Sequence, residues 1–471
     1  MQVNVEYSKY SEDYQDLSDF FAGERQVKAQ TTRYTPMLAG QKGKEVVYLR
    51  YVGFGILFNA LFRTRQGLKG AILRKPVEIV YPEGKKAVLD DVMLNGASFD
   101  DLIREACDNV LGYGRYGALV DIDDEGKPFV AAYPALSILD WSTNKSRKVK
   151  QEVLLQESIS VDDEKNPGAT KIIEQRRKLE LDVTNQYLVT IYRKSDVAGE
   201  DGDDWAEVLD TPEEPNPRMP TYKGKRLDFI PFVFFGSSSN VPEASRPPLL
   251  DLLNLSKGHW KLTVAYLYGM HFASLPTACF AGFNFEEGVQ IPLGPGVVHH
   301  TAEPTANSWF LQTGGEGLAT VEKGLDRLEK QMAVSGSRML EESRPGVEAA
   351  ETVKLRSSGD SATLADIAGN VEAALTDVLR HIGFWEGVGP DQCSVGLNKD
   401  FVSAKLTPQE ITALVAALQA GDAMSVETFL WNLQQGEMMQ PGRSIEDELE
   451  AIGEDKLKRQ KETLKFGSQG E

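Results

Sequence analysis

One apolar seam constrains this chain more than any other feature. From residue 318 onward, Leu318, Val321, Leu325, Leu328, Met332, Ser335 and Met339 recur at alternating steps of three and four. That spacing sets them along one helix face in heptad register. Glu322, Lys323, Asp326, Arg327, Glu329 and Lys330 fall on the opposite face, which calls for water or a charged partner. The pattern predicts a helix over 316–342, broken at Arg344-Pro345-Gly346, where proline removes a donor and glycine frees the backbone. Residues up to about Asp360 carry no apolar period and read as a loop. Thr363 with Asp366 has capping-box spacing and restarts a helix. Its apolar face is Leu364, Ile367, Val371, Leu375 and Val378, and Gly383 stops it. A connection of about 17 residues exceeds the roughly 2–8 of compact helix hairpins, and loops that long tend to be functional or disordered.

The second constraint lies just upstream. Pro247-Pro248 opens a helix to about Leu275, with Leu249, Leu253, Trp260, Val264 and Leu267 on one side. The run Leu262–Phe283 has the length of a membrane span. His271, Ser274, Pro276 and Thr277 interrupt it, however, and Lys257, Lys261, Glu286 and Glu287 flank it. A helix buried within an assembly is the better reading; Tyr51–Phe62 is too short to span. Pro276–Leu311, rich in Gly, Pro and short apolar runs, is predicted as a small β-type insertion between the two long helices. The seam of 316–342 fits ordinary core packing as well as packing between subunits.

Elsewhere the signals are local. Residues 1–40 show little periodicity and read as an extended arm, with no apolar core segment of a signal peptide. Glu45–Leu68 is predicted as one long, nearly all-apolar helix, and Val77–Tyr81 as a strand. Ser98 with Asp101 forms a capping box before Phe99, Leu102, Ile103, Ala106 and Val110. Ala118–Ile122 and Pro128–Tyr133 pair as a hairpin, Val149–Ile191 alternates strands with charged loops, and Ile230–Phe235 is a buried strand. Residues 196–228 read as an exposed acidic loop. After Phe384 three short helices follow, opened by Thr407-Pro408, Ser425 and Ser444.

Composition narrows the function classes. At 471 residues the chain has the length of about three domains, and 41% hydrophobic with 26% charged residues is ordinary globular usage. A formal charge of −19 argues against a general nucleic-acid binder, though not against a protein that lets DNA pass. Cys107, Cys279 and Cys393 are odd in number and far apart, which points to a reducing compartment; Cys107 sits on an apolar helix face as a buried thiol.

Candidate chemical motifs have bland readings. Gly112–Gly117 matches G-x-G-x-x-G, but a helix precedes it and a strand follows. A phosphate there would meet helix C-terminal carbonyls rather than N–H groups. A helix C-cap is expected instead. Asp121, Asp123, Glu125 and Gly126 resemble the start of a calcium loop, yet Ala132 stands where the bidentate Glu belongs, so a hairpin turn is expected. His299-His300 lacks Cys or carboxylate at ligand spacing and reads as an exposed pair. No P-loop is present, and no catalytic residue, cofactor or metal is expected.

Several segments in order resemble a portal protein of the tailed bacteriophages, of a compact family related to the general phage portal fold. They are Tyr51…Phe58-Asn59…Arg63-Thr64…Gly70…Lys75-Pro76, Gly114-Arg115-Tyr116-Gly117-Ala118-Leu119-Val120-Asp121 and Tyr133…Asp140-Trp141. Ile230-Pro231-Phe232, Pro247-Pro248-Leu249 and Ala350-Glu351-Thr352 complete the series, which covers roughly residues 15–400. The resemblance implies an α+β portal-type fold and a homo-oligomeric ring, usually a dodecamer, at one capsid vertex in the virion, assembled in the host cytoplasm. Double-stranded DNA would pass through its bore. The terminase large subunit, head–tail adaptor or tail proteins, and capsid or scaffolding protein would be its partners, with no membrane involved.

Mapped onto this chain, 1–40 is an arm, 41–245 an α/β wing, 246–275 and 316–342 stem helices, and 276–315 a clip. Residues 343–360 become a tunnel loop, 361–399 a wing helix and return, and 400–471 a helical crown. Arg344, Glu348, Glu351, Lys354 and Arg356 would then face DNA. Leu253, Trp260, Leu267, Leu325, Leu328 and Met332 would pack subunits in the stem. Rival readings are another head–tail connector or tail ring protein, and a nucleotide-dependent enzyme using Gly112–Gly117.

Overall fold

The computed structural model describes residues 3–337 and 350–453, apart from 94, 124, 145–148, 163–167, 195–204, 212–214, 276, 286–290, 293–296, 312–315, 402–407, 420–423, 436–437 and 440–442. The chain divides into two units, residues 1–399 and 400–471.

Most of residues 5–33 are helical, which corrects the extended arm. α1 (Val5–Ala22) is capped by Asn4, whose side chain accepts the Glu6 N–H, and α2 (Glu24–Ala29) follows it. Tyr14, Leu17 and Phe20 form the buried stripe, but Asp16 and Asp19 lie between them and are buried as well. A hydrophobic-against-polar pattern counts those two carboxylates as outward-facing, and so the helix period is lost. Inside, Asp16 accepts from Arg33 Nε at 2.7 Å, from the Tyr34 hydroxyl at 2.9 Å and from Lys257. Asp19 accepts from the Tyr34 hydroxyl at 2.7 Å and from Gln26 Nε2 at 2.9 Å.

Burial opposes ionisation of Asp16, but the bonds from Lys257, Tyr34 and Arg33 outweigh it and hold its carboxyl below the usual range. A depressed folded pKa gives stability that is complete above the unfolded value of 3.8 and is lost as pH falls through the folded value. The melting temperature is therefore expected to drop on acidification below about pH 4. Asp16→Asn should flatten that part of the curve in a thermal melt series.

One long helix over 45–68 is also corrected. The chain makes α3 (Glu45–Gly53) and α4 (Ala60–Ile72), separated by a break at 54–59. Asn59 explains the restart: its Oδ1 accepts the Phe62 N–H at 3.0 Å while its amide reaches the Phe20 carbonyl at 3.1 Å. After β1 (Glu78–Val80) comes α5 (Phe99–Tyr113), with the Ser98–Asp101 capping box formed as the spacing predicts. α5 ends on Gly114 at φ 73°, a left-handed turn that glycine adopts freely, and its N–H bonds the Val110 carbonyl at 2.9 Å.

β2 (Arg115–Ile122) and β3 (Pro128–Pro134) form the predicted hairpin. β4 (Ile138–Asn144), β5 (Val149–Asp162), β6 (Thr170–Leu181), β7 (Tyr187–Lys194) and β8 (Trp205–Glu207) make an antiparallel sheet in chain order. β9 (Thr221–Tyr222) and β10 (Lys225–Arg226) form a small ribbon within the expected acidic loop. β11 (Phe232–Gly236) joins β2 to give the order β11-β2-β3. The two larger sheets share a core of Leu119, Tyr133, Trp141, Leu155, Leu179 and Phe232.

α6 (Leu250–Ser274), β12 (Thr277–Ala281), β13 (Asn307–Leu311) and α7 (Glu316–Ser337) follow. α8 (Ala350–Glu386) runs against β11, β2 and α5, and β14 (Ser394–Gly396) returns to pair with β1. Here the expected loop 343–360 is corrected over 350–360, and Thr363 lies inside a helix rather than at its start. Ala350, Glu351, Lys354, Leu355 and Arg356 are strong helix formers. The polar run Ser357-Ser358-Gly359-Asp360 hides that propensity from an apolar-period reading.

In the second unit, α9 (Pro408–Gln419) and α10 (Val426–Gln435) sit where the start signals put them. Residues 445–453 are helical behind Ser444, whose hydroxyl accepts the Asp447 N–H at 3.0 Å. Helix exceeds strand by about two to one, 49% against 22%, which agrees with the α+β class.

Candidate subunit interface on the α6–α7 hairpin

α6 and α7 are antiparallel neighbours. Gly258 faces Leu328, Leu262 faces Gly324 and Gly269 faces Leu318, so position numbers rise along one helix as they fall along the other. Small residues set the spacing: a β-carbon on Gly269 would stand 2.9 Å from Leu318 Cδ2. A polar contact crosses the seam: His259 Nε2 meets Glu329 Oε1 at 3.1 Å.

The N-terminal half of α6 is enclosed by its own chain. Leu249, Leu252, Leu253, Trp260 and Val264 are buried, and the Trp260 indole N–H donates to Thr35 Oγ1 at 2.9 Å. Lys257 pairs with Asp16 on α1. Met332 of α7 is buried too, with the Ser256 hydroxyl 3.6 Å from its sulfur. Leu253, Trp260 and Met332 therefore pack inside the subunit, which corrects the expectation that they pack between subunits. The physical reason is that α1, α3 and α4 contribute contacts to the flanks of this hairpin, and the arm reading had left α1 out. Leu267, Leu325 and Leu328 are half-buried along the hairpin.

Towards the other end the hairpin emerges. Met270 and Phe272 on α6 and Leu275 just after it are exposed, as are Val297 and Val298. Among the described residues β12 and β13 pair only with each other, and every residue of β13 is exposed, including Trp309 (47%), Phe310 (65%) and Leu311 (61%). A two-stranded ribbon is marginal in water by itself, and here it presents its largest apolar side chains to solvent. Its connection is held by an aromatic cluster in which Phe283 and Phe285 stack at 5.7 Å and His299 lies 5.4 Å from Phe280. His299 Nε2 reaches the Pro292 carbonyl at 2.7 Å, so it belongs to this cluster while His300 is exposed, which corrects half of the rim pair. The sequence signal for the surface was the short apolar run Ser308-Trp309-Phe310-Leu311, which the site residues chosen from sequence did not include.

On α7, Glu322, Lys323, Asp326, Arg327, Glu329 and Lys330 are exposed, three acids against three bases, so this face carries no net charge. Between the helices a groove of about 440 Å³ is lined by Leu255, Arg327, Lys330, Gln331, Val334 and Ser335. Arg344 and Glu348 lie outside the described residues. Glu351, Lys354 and Arg356 lie on the backbone of the first turns of α8.

The chemical motifs resolve as turns. Arg246 O and Pro248 Cδ crowd Gly114, at 3.0 and 3.2 Å from a β-carbon placed there, so a phosphate would meet a carbonyl. Asp123 Oδ1 accepts the N–H groups of Glu125 and Lys127 at 3.0 and 2.8 Å, and Asp121 pairs with Arg218. Burial pushes the Cys107 thiol up to about 12, the state of an inert core cysteine. Among the described residues no cluster of three or more His, Cys, Asp or Glu could hold a metal, and no helix is long and apolar enough to cross a membrane.

Residues 248–386, from the start of α6 to the end of α8, match a family model described as a domain of unknown function (DUF4055). No curated protein matches the chain. Among solved structures, the neck of an empty GTA particle computed with C6 symmetry is similar at a TM-score of 0.36 and 12% identity, over 78% of this chain and 88% of that one. The virion of a native gene transfer agent (GTA) particle gives 0.37 and 11%, over 81% and 90%. The neck of a native GTA particle computed with C12 symmetry gives 0.37 and 12%, over 81% and 90%.

Proposed function

We propose that this chain is a portal-type ring subunit of a phage-like particle, a structural head–tail component through which double-stranded DNA passes. The β12–β13 ribbon with the emerging end of α6 carries the reading. A lone subunit leaves Phe272, Leu275, Trp309, Phe310 and Leu311 in water, and contiguous apolar surface of this kind marks a site of association. In a closed ring each copy covers its neighbour with a different face of itself, so the patch is satisfied at every position. The ordered sequence segments named above supply the particular kind of ring.

In this reading the α6–α7 hairpin is the stem and β12–β13 the clip. The DNA-facing segment is residues 343–360, which runs from ahead of α8 into its first turns. Arg344, Lys354 and Arg356 balance Glu348, Glu351 and Asp360. Such a neutral segment on a chain of −19 touches phosphates transiently and reads no bases. Motor, adaptor and capsid partners rest on the sequence resemblance, and no catalytic role is assigned. Replacing Arg344, Lys354 and Arg356 together by serine is expected to lower DNA packaged or retained per particle, measured by quantitative PCR of nuclease-protected DNA. Unchanged packaging and retention would remove the bore role.

A further inference from the structure

We infer that the pocket between residues 31–37 and α3 receives the strip Glu207–Asp210 of a second copy of this chain, so that unlike faces of neighbouring subunits interlock. The inference rests on the ring reading above and names two of the surfaces that would close it. The pocket has a volume of about 330 Å³, and its walls include Thr31, Met37, Lys44, Tyr48 and Leu49. Around it the chain leaves apolar side chains in water: Met37, Leu38, Val47 and Leu49 are exposed, and Val46 is 73% exposed. On α3, Tyr48, Tyr51 and Val52 are the buried side, with Tyr51 edge to face on Tyr268 of α6 at 4.9 Å, so Val46, Val47 and Leu49 face outward. A helix apolar on both sides is buried on both. Lys42, Lys44 and Arg50 are exposed beside that face, against one carboxylate, Glu45. None of the three cations is in an ion pair among the described residues. On a chain of −19 this is a local excess of positive charge.

The strip carries the opposite charge. At the end of β8 the chain runs Glu207-Val208-Leu209-Asp210, with Leu209 83% exposed and both acids exposed beside it. Leu209 therefore fills no pocket of its own chain. The cations nearest the strip are engaged elsewhere: Lys194 with Glu174 at 2.7 Å, Arg193 with Gln175 at 3.4 Å, and Arg176 stacked on Trp205 at 4.2 Å. An aliphatic side chain between two carboxylates suits an apolar pocket bordered by Lys42 and Lys44. Burial of the leucine supplies affinity, and the charges choose the partner and fix its register.

The two surfaces lie on different flanks of one subunit. α1 is about 27 Å long. Arg33 and Tyr34, next to the pocket, bind Asp16 in its second half, whereas Asn4 at its start binds Asp140 of β4 at 2.9 Å. β8 is the far edge of that sheet, four strand spacings or about 19 Å from β4. Unlike, complementary faces on one chain make a head-to-tail contact, which is the contact that generates a ring when the rotation closes.

The test uses two full-length charge-reversal variants, one with Lys42→Glu and Lys44→Glu, the other with Glu207→Lys and Asp210→Lys. Each alone opposes like charges at every contact, so half-assembly, read by sedimentation velocity, should need a concentration at least about ten-fold above that of the unsubstituted protein. Mixed in equal amounts the two should assemble at about the unsubstituted concentration, because the acidic pocket of one meets the lysines of the other and the reverse holds at the next contact. Thermal melts check that each variant is folded. Asp210 also accepts the Asn216 N–H at 3.1 Å; should its variant fail to fold, Leu209→Asp, which keeps that bond, decides by the same ten-fold criterion. Folded variants that assemble as the unsubstituted protein does would overturn this pairing and leave the ring reading standing. A folded pair that stays apart when mixed would also overturn it, since the pocket then serves some other occupant. An unsubstituted chain that never assembles would remove the ring reading and this inference together.

Discussion

Trp260→Ala is expected to destabilise the subunit by about 3–5 kcal/mol, the usual cost of truncating a buried aromatic. The indole is fully enclosed and its N–H is bonded to Thr35, so the substitution leaves a cavity and an unpaired hydroxyl together. Thermal or urea unfolding at low protein concentration measures it. Had this side chain lain between subunits, the isolated subunit would tolerate the change and only assembly would suffer. Loss of subunit stability at unchanged subunit concentration therefore separates intramolecular packing from packing across an interface. Phe272→Ala, by contrast, should cost the subunit little, because that ring meets Tyr268 edge to face at 4.7 Å yet stays half exposed.

Replacing Leu275 and Phe310 together by glutamate is expected to abolish assembly while leaving the subunit folded. Both side chains are more than half exposed in the single chain, so charge there costs the monomer about 0.5 kcal/mol or less. If a neighbour covers them, each lost burial removes about 1.5–3 kcal/mol per interface. The new carboxylates add a desolvation cost on top. The pair together weakens each contact by at least about a hundred-fold, and a ring multiplies that loss around its circumference. Sedimentation velocity reads the collapse to monomers, and an unchanged melting curve reads the intact fold. A double variant that still assembles would move the interface away from the ribbon.

Much of the fold is legible where a local rule decides it. The Ser98–Asp101 box, the hairpin over Asp123 and the long helices on either side of a β insertion all follow from capping, turn chemistry and period. Legibility fails where tertiary structure overrules the local rule. Asp16 and Asp19 point inward because Tyr34, Arg33 and Lys257 wait for them, and those partners are distant in sequence. The first turns of α8 are helical through a polar serine-rich stretch with no apolar stripe. The candidate interface shows the same limit. Apolar period says that Trp260 is covered but not by what, and Thr35 with Gly55 supplies cover. The surface left for a neighbour, Trp309 to Leu311 and the end of α6, follows from which faces the chain itself leaves open.

In the proposed ring, identical copies close over the exposed ribbon. Single-particle imaging of the purified full-length protein tests this most directly. Closed rings with a central hole, with the β12–β13 ribbon of each copy against its neighbour, are the predicted result. Monodisperse single subunits at every concentration, with Phe310 and Leu275 still open to solvent, would contradict it.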